Sequence, residues 1–492
     1  MYRVFRALVV AFWFLAAGGI GVALDGGGAA RGKVLAPELA RRIDALLRDP
    51  QLRGAQVGVD IVKLTPQGPT SLYRFHPTVA LMPGSNAKLL TTAAAFDRLG
   101  PHAVIATRLY RVGDHLVLVG GGDPALGDPV LCHRAGWQST TVFQQWANHL
   151  RALGLTHFHD IVVDDSIFNH DFVNARWPLG GAQYLDWYDA PVGGLNFALN
   201  CIRWRPVIDA HGAVGLSIKP FSAYPPVAIQ AHRGPAQRFW LWRGLHSAEC
   251  FLRGSVQQSD PYWRQTTIAD PGLYTGAVLR QVLVDHGIQI TGSVRRGGLD
   301  SAATAPGTKP QLLATYETPL TAILYRANTD SINLMAEALC KLLGHLATGQ
   351  PGGWANGTAA VQAYLRSLGI PTAWVQLVDG SGLSHLDHVA PAALIQVLVH
   401  IAMERDGKIF IDSMCRPGHG TLIYRFRGSP AAPHVRAKDG HITGASTLSG
   451  YLFAPDGVFV FSIMCNHYHG NVNGWQDRLV TALFNAESAH PR

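Results

Sequence analysis

The stretch from Pro83 to Phe96 constrains the fold more than any other part of this 492-residue chain. A Pro-Gly turn leads directly into a run of good helix formers, and Ser85 stands where the helix is predicted to begin. Lys88 follows three residues later, so both side chains lie on one helix face, about one turn apart. A serine hydroxyl at the positive end of a helix dipole, with an amine beside it, is the minimal nucleophile–base pair for acyl transfer. A solvated helix lysine is the alternative interpretation.

A second element, Ser331-Ile332-Asn333, lies at the head of an apolar run with helical character, residues 334–339. On its own this S-x-N pattern equally describes a serine that caps the start of a helix. The S-x-N pattern is informative because it lies between the Ser85 element and a third element near the end of the chain.

That third element, Lys438-Asp439-Gly440, opens a segment rich in glycine and β-forming residues, 442–453, which predicts a strand and a turn. In order, the three elements resemble S-x-x-K, S-D-N and K-T-G, the motif set of β-lactamases and penicillin-binding proteins. Asp439 departs from that set, because threonine or serine is expected at its position. An exposed lysine at a strand edge, which discourages aggregation, is the alternative for Lys438.

The spacing of the motifs indicates a large insertion. Lys88 and Ser331 are 243 positions apart, far more than one catalytic domain needs between these elements. With this spacing the chain resembles the D-alanyl-D-alanine carboxypeptidase/endopeptidases, the low-molecular-mass class C penicillin-binding proteins. The segments that carry the resemblance are PGSNAKLLTTAAAFDRLG (83–100), LVLVGGGDPAL (116–126), IVVDDSIF (161–168), YDAPVGGLNFALN (188–200), DSINLMAEAL (330–339), LVDGSGLSHLD (377–387), GTLIYRF (420–426) and AKDGHITGASTLSGYL (437–452).

The predicted fold class is α+β, because helical and β-like segments separate along the chain without βαβ alternation. The resemblance adds a serine D,D-peptidase/β-lactamase-like catalytic domain, with an antiparallel sheet flanked by helices and a helical lobe. The chain is predicted to begin with a signal peptide or anchor (1–29). The catalytic domain is predicted in two segments, residues 30–100 and 271–492, on either side of an inserted β-rich region (101–270).

The resemblance implies a serine-type carboxypeptidase/endopeptidase that acts on peptidoglycan peptides through an acyl-enzyme. Ser85 would attack the D-Ala-D-Ala carbonyl, and Lys88 would take the serine proton. Ser331 would relay that proton to the leaving amine, while Asn333 orients Lys88. Lys438 would supply a second positive charge, which lowers the pKa of a neighbouring amine.

The substrate-binding half of the implied site comprises Asp439, Gly440 and His441, with the backbone N–H groups of Ser85 and His441 as the oxyanion hole. In the resembled family a hydroxyl at position 439 binds the terminal carboxylate of the substrate. An ionised Asp439 that points into the cleft would repel that group, whereas one that turns away, is protonated, or pairs with Lys438 or Arg436 would not. Slow turnover is therefore expected. The alternative functions are a catalytically impaired homologue that binds the cell wall or acts as a scaffold, and a β-lactamase or esterase.

The expected partners are peptidoglycan peptides, with β-lactams as acylating inhibitors. A formal net charge of +8 and a pI near 9.2 are compatible with nucleic-acid binding. No dense Lys/Arg block occurs, however, and nucleic acid is not an expected partner. No cofactor and no metal are expected, because no C-x-x-C or other ligand set stands at metal-binding spacing.

The N-terminus has the pattern of an export signal. Arg3 and Arg6 precede an uncharged apolar stretch, residues 7–24. Cleavage near residues 23–30 predicts a periplasmic protein, and an uncleaved anchor with membrane association is the alternative. The six cysteines are then free to pair, with Cys201–Cys250 and Cys415–Cys465 as candidate pairs, or to serve as small buried hydrophobic residues.

Overall fold

The computed structural model of the chain describes residues 37–302 and 309–488, so the predicted signal peptide or anchor (1–29) lies outside the described residues. The helices are α1 (Pro37–Leu47), α2 (Ala87–Leu99), α3 (Pro129–Arg134), α4 (Thr141–Ala152), α5 (Pro271–Asp285), α6 (Leu320–Asn328), α7 (Asn333–Thr348), α8 (Trp354–Ser367), α9 (Pro391–Met403), α10 (Gly407–Ser413) and α11 (Val472–Ser488). The strands are β1 (Gln56–Thr65), β2 (Gly68–Phe75), β3 (Val104–Val112), β4 (His115–Val119), β5 (His157–Phe158), β6 (Ile161–Asp164), β7 (Cys201–Ile208), β8 (Val214–Lys219), β9 (Val227–Ile229), β10 (His232–Arg233), β11 (Arg238–Arg243), β12 (Cys250–Val256), β13 (Arg264–Thr267), β14 (Gln289–Ile290), β15 (Val294–Arg296), β16 (Gln311–Pro319), β17 (Val375–Gln376), β18 (His388–Val389), β19 (Val435–Ile442), β20 (Ala445–Ala454) and β21 (Gly457–Asn466).

One antiparallel sheet joins the beginning of the chain to its end. Its strand order is β19-β20-β21-β1-β2, and Val57 of β1 pairs with Cys465 of β21. Alternate residues of each strand point to opposite faces, and both faces are covered. Helices α1 and α11 pack on one face, while α9 and the helical lobe pack on the other. The predicted α+β class is confirmed.

Helix α2 forms the centre of the helical lobe. Its first ten residues, Ala87–Phe96, are all buried, and their core cluster includes side chains of α6, α7, α8 and α9. Alanines at positions 93–95 present little bulk, which lets neighbouring helices approach closely. The helix predicted from the sequence at this point is therefore present, and most of it is buried within the lobe.

The inserted region has its own sheet and its own core. The sheet order is β15-β6-β4-β3-β16, with Val294 of β15 paired to Ile161 and Thr318 of β16 paired to Ile105. Helix α5 begins with Asp270 as its cap and proline at its first position, and it packs in the core of this region although the catalytic domain is predicted to resume at 271. We therefore propose that the insertion extends to about Pro319 rather than ending at 270.

All six cysteines are buried free thiols, so the two candidate disulfides do not form. Cys415 pairs with Ala437 on β19, and β20 separates β19 from β21, which carries Cys465. Strands lie about 4.8 Å apart, so these cysteines exceed the roughly 7 Å Cα separation that a disulfide spans. Cys201 and Cys250 lie on strands of two different sheets, β7 and β12.

No helix within the described ranges combines the length and the hydropathy needed to cross a membrane.

Candidate active site

Ser85 lies in a tight 3-10 turn, Gly84–Asn86, that leads directly into α2. Glycines surround this turn because backbone approaches it closely. A Cβ built on Gly382 would lie 1.9 Å from the Gly84 carbonyl oxygen, and φ at Gly382 is +78°. A Cβ on Gly440 would lie 2.9 Å from Ser85 N. Glycine at these two positions allows the loop that contains Gly382, and strand β19, to contact the turn that holds Ser85.

Lys88 is fully buried beside the serine, and three contacts fix its side chain. Its Nζ lies 2.8 Å from Ser85 Oγ, 2.6 Å from Asn333 Oδ1 and 3.0 Å from the carbonyl oxygen of Ser381. Burial, and then the neighbouring charge of Lys438, lower the pKa of Lys88 from its ordinary value to about 7. The amine is thus available as a proton acceptor near neutral pH, within hydrogen-bond distance of a hydroxyl.

Lys438 is also fully buried, on the edge strand β19. Its Nζ donates to the backbone oxygen of Asp439 at 2.6 Å and to Asp439 Oδ1 at 3.1 Å. The Ala437 N–H donates to the backbone oxygen of Cys415 on the side of β19 away from β20. In an antiparallel ladder the N–H groups of every second residue point to the same side. The N–H of His441 therefore also points away from β20, toward the serine turn, where a Cβ on Gly84 would lie 3.1 Å from His441 N.

Asp439 makes an internal ion pair. Its Oδ1 accepts hydrogen bonds from Thr421 Oγ1 and from Lys438, whereas Oδ2 bonds no described residue. Burial opposes ionisation, but Lys438 and Thr421 hold the pKa of Asp439 below its usual value. Of the partners that the sequence leaves open for Asp439, Lys438 is the one it pairs with, while Arg436 donates to the backbone oxygen of Val435. The carboxylate is ionised and keeps 21% of its side chain exposed.

Ser331 and Asn333 occupy different positions in the hydrogen-bond network. Asn333 begins α7, accepts from Lys88, and donates through Nδ2 to the backbone oxygen of Tyr188 at 2.8 Å. Ser331 lies in the turn between α6 and α7 with φ +59°, and its hydroxyl bonds no residue within 37–302 or 309–488. Thr329 in that turn accepts from the N–H of Thr421, which places the turn beside Asp439.

Several polar residues that sequence reasoning left without a role lie behind Lys88. Glu337 is fully buried and accepts from Trp354 Nε1 at 2.7 Å and from the Gly380 N–H at 3.0 Å. Burial, with Asp379 beside it, raises the pKa of Glu337. Asp379 accepts the N–H groups of Ser381 and Gly382 at 3.0 and 2.6 Å, the pattern of an Asx turn. The Asp-Gly-Ser-Gly sequence is the signal that predicts such a turn.

Comparison with known proteins finds similarity over most of the chain. The profile of the D-Ala-D-Ala carboxypeptidase 3 (S13) family matches residues 39–487. The D-alanyl-D-alanine carboxypeptidase of Actinomadura sp. (strain R39) is 29% identical over 460 residues, 88% of this chain and 82% of that protein. D-alanyl-D-alanine carboxypeptidase DacB of Haemophilus influenzae is 27% identical over 306 residues, 60% of this chain and 61% of that protein.

A solved structure shares the fold. The crystal structure of penicillin binding protein 4 (dacB) from Haemophilus influenzae superposes with a TM-score of 0.72, covering 90% of this chain and 98% of that one. At 22% sequence identity, this similarity establishes the fold alone.

Proposed function

The chain belongs to the D-Ala-D-Ala carboxypeptidase 3 (S13) family of serine peptidases, and on that premise we propose which of its residues perform the reaction. The observation that carries the proposal is the 2.8 Å contact between Lys88 Nζ and Ser85 Oγ in a buried site. Ser85 Oγ attacks the carbonyl carbon before the terminal D-alanine, and its proton passes to the unprotonated Lys88 amine. Asn333 and the Ser381 carbonyl hold that amine in line with the hydroxyl.

The charge that develops on the carbonyl oxygen is met by two backbone donors in our proposal, the N–H groups of Ser85 and His441. A single donor of this kind typically contributes about 10²–10³ in rate. As the tetrahedral intermediate collapses, the C–N bond breaks and the leaving amine takes the proton from Lys88 through the Ser331 hydroxyl. Water then attacks the acyl-enzyme with Lys88 again as base, and Ser85 is regenerated.

The substrates we propose are peptidoglycan peptides, either as free D-Ala-D-Ala ends or as cross-links, with β-lactams acylating the same serine. Proteins that act on this polymer work outside the cytoplasm, so we infer an exported protein, and the periplasm is the proposed compartment. The alternative of a catalytically impaired scaffold finds no support. The chain matches a family of carboxypeptidases, and its serine–lysine pair is complete.

The function is tested by labelling the purified protein with a fluorescent penicillin and mapping the acylated peptide. We expect one label on Ser85, together with release of D-alanine from a pentapeptide that ends in D-Ala-D-Ala. Heat-denatured protein is the control for non-specific labelling. Absence of both label and D-alanine release, or a label mapped to another residue, would overturn the assignment.

The acylation rate should also depend on pH in a defined direction. Lys88 accepts the serine proton only after losing its own, so the rate is expected to rise with pH through about 7 and then level off. On the acid side of that value the rate should fall about tenfold per pH unit, because the ammonium form predominates. Second-order rate constants for penicillin acylation between about pH 5 and about pH 9 test this. A rate that is level across the acid half of that range would contradict it.

A further inference from the structure

A patch of positive charge covers one face of the sheet β13-β7-β8 in the inserted region. Along β7, the buried residues Ile202, Trp204 and Pro206 alternate with Arg203 and Arg205, which therefore lie on the opposite, outer face. On the neighbouring strand β8, Lys219 stands directly across from Arg203. Three cations thus share the outer face of a three-stranded sheet.

An indole ring lies among these cations. Trp263, which immediately precedes β13, has the Arg205 guanidinium 4.8 Å, Lys219 Nζ 4.9 Å and the Arg203 guanidinium 5.6 Å from its ring centroid. Each distance is within the range of a cation–π contact. We name Arg203, Arg205, Lys219 and Trp263 together the basic face.

The basic face lacks a counter-charge among the described residues. None of its three cations takes part in an ion pair there, and Arg205 Nε is buried without a hydrogen-bond partner. By contrast Arg264, on the same sheet, pairs with Asp260 at 2.8 Å. Like charges directly opposite on neighbouring strands, as Arg203 and Lys219 are, destabilise a sheet unless an anion is supplied.

The chain segment around the basic face also carries more positive than negative charge. Residues 201–268 contain eight Lys or Arg and three Asp or Glu, so most of the excess charge of the chain lies here. Tyr262, beside Trp263, is 75% exposed, and Phe221, two residues after Lys219, is 64% exposed. Two large aromatic side chains are thus exposed close in sequence to Trp263 and Lys219.

We propose that the basic face binds carboxylate-bearing glycan strands of the cell wall and holds that polymer beside the catalytic cleft. Guanidinium and ammonium groups pair with carboxylates, and flat aromatic rings offer a surface on which sugar rings stack. The inference rests on the proposed function for the identity of the polymer, since the substrate peptides are attached to such strands.

Two hydrogen bonds and the segment 184–188 connect the strand that follows Trp263 with Asn333. Strand β13 runs from Arg264 to Thr267, whose Oγ1 donates to the Tyr184 carbonyl at 2.6 Å. Four residues beyond Tyr184, the Tyr188 carbonyl accepts from Asn333 in the active site. A glycan bound on the basic face would therefore lie on a sheet that these contacts connect to Asn333.

The test measures binding of the full-length protein to sonicated, purified peptidoglycan strands in low salt. The double variant Arg203→Glu/Lys219→Glu is expected to bind roughly tenfold more weakly or worse, given the modest free energy of each exposed charge contact. Trp263→Ala should also weaken binding. The matched control Arg233→Glu/Arg238→Glu changes the net charge of the same segment equally, at exposed positions on other strands, and is expected to bind like wild type.

Every variant is also labelled with fluorescent penicillin, which reports the fold and the Ser85 site independently of polymer binding. Equal losses in both double variants would indicate general charge attraction and overturn the proposal, as would absence of strand binding by the wild type. Polyphosphate competing at lower concentration than polygalacturonate would point to a phosphate polymer and likewise overturn it. Strand binding without penicillin labelling would count against the proposed function alone.

Discussion

Replacing Lys88 by methionine is expected to slow acylation of Ser85 by about 10²–10⁴-fold, the usual contribution of a positioned general base. Methionine matches the length of the lysine stem and is apolar, so it suits a site that is fully buried. The serine then keeps its turn but loses the acceptor 2.8 Å from its hydroxyl. The second-order rate constant for penicillin acylation measures the loss, and the thermal unfolding temperature verifies that the variant is folded.

Lys341 offers a matched control for that experiment. It is a second buried lysine, on α7, but its Nζ donates to the carbonyl oxygens of Asp171 and Val192 at 2.6 and 3.2 Å, and to Asn169. Lys341→Met should lower stability while changing the acylation rate far less than Lys88→Met does. A folded Lys88→Met protein that acylates within tenfold of wild type would assign the base to another group.

Substituting Asp439 by threonine is expected to raise turnover of peptides that end in D-Ala-D-Ala only several-fold, because the ion pair with Lys438 already offsets much of the Asp439 charge. Two like charges about 4 Å apart at an effective dielectric near 20 repel by about 4 kcal/mol, which sets an upper limit near 10³-fold. Lys438 and Thr421 offset part of this repulsion, because both bond the Asp439 carboxylate. The kcat/KM for D-alanine release from a tripeptide substrate is the measurement.

The variant Asp439→Asn separates charge from hydrogen bonding at this position. It keeps the shape of aspartate but removes its charge, so a gain in both variants assigns the effect to repulsion. A gain in the threonine variant alone assigns it to the missing hydroxyl. If kcat/KM rises in neither variant, Asp439 has no part in recognition of the substrate carboxylate. The charge of Asp439 then does not explain the slow turnover that the sequence predicts.

Local signals made much of the fold predictable from the sequence. A three-residue spacing brings Ser85 and Lys88 together because helix geometry is local, and Asp270 followed by proline marks the start of α5 for the same reason. The hairpin that contains Asp439 follows from glycine and β-forming residues close in sequence. The α+β class and the family were recognisable from these elements in order.

Contacts between distant segments were not predictable in the same way. The Ser381 carbonyl contacts Lys88 and the Tyr188 carbonyl contacts Asn333 as backbone groups, which carry no residue-specific signal. Because α5 has no sequence feature that tells which core it joins, the sequence predicts that the insertion ends at 270. The end that we propose, near Pro319, rests on the pairing of β15 with β6 and of β16 with β3, which depends on the assembled sheet.

The hydrogen bond from Asn333 to the Tyr188 carbonyl has a consequence for how such an enzyme can be shortened or recombined. The loop of the inserted region that contains Tyr188 supplies a backbone acceptor that orients Asn333, and Asn333 in turn contacts the Lys88 amine. Excising it would leave the asparagine amide free to rotate, even if the ends were rejoined without strain. A minimal version of this catalyst must therefore retain the Tyr188 loop, and exchange of whole insertions between relatives should succeed only where the donor brings an equivalent carbonyl.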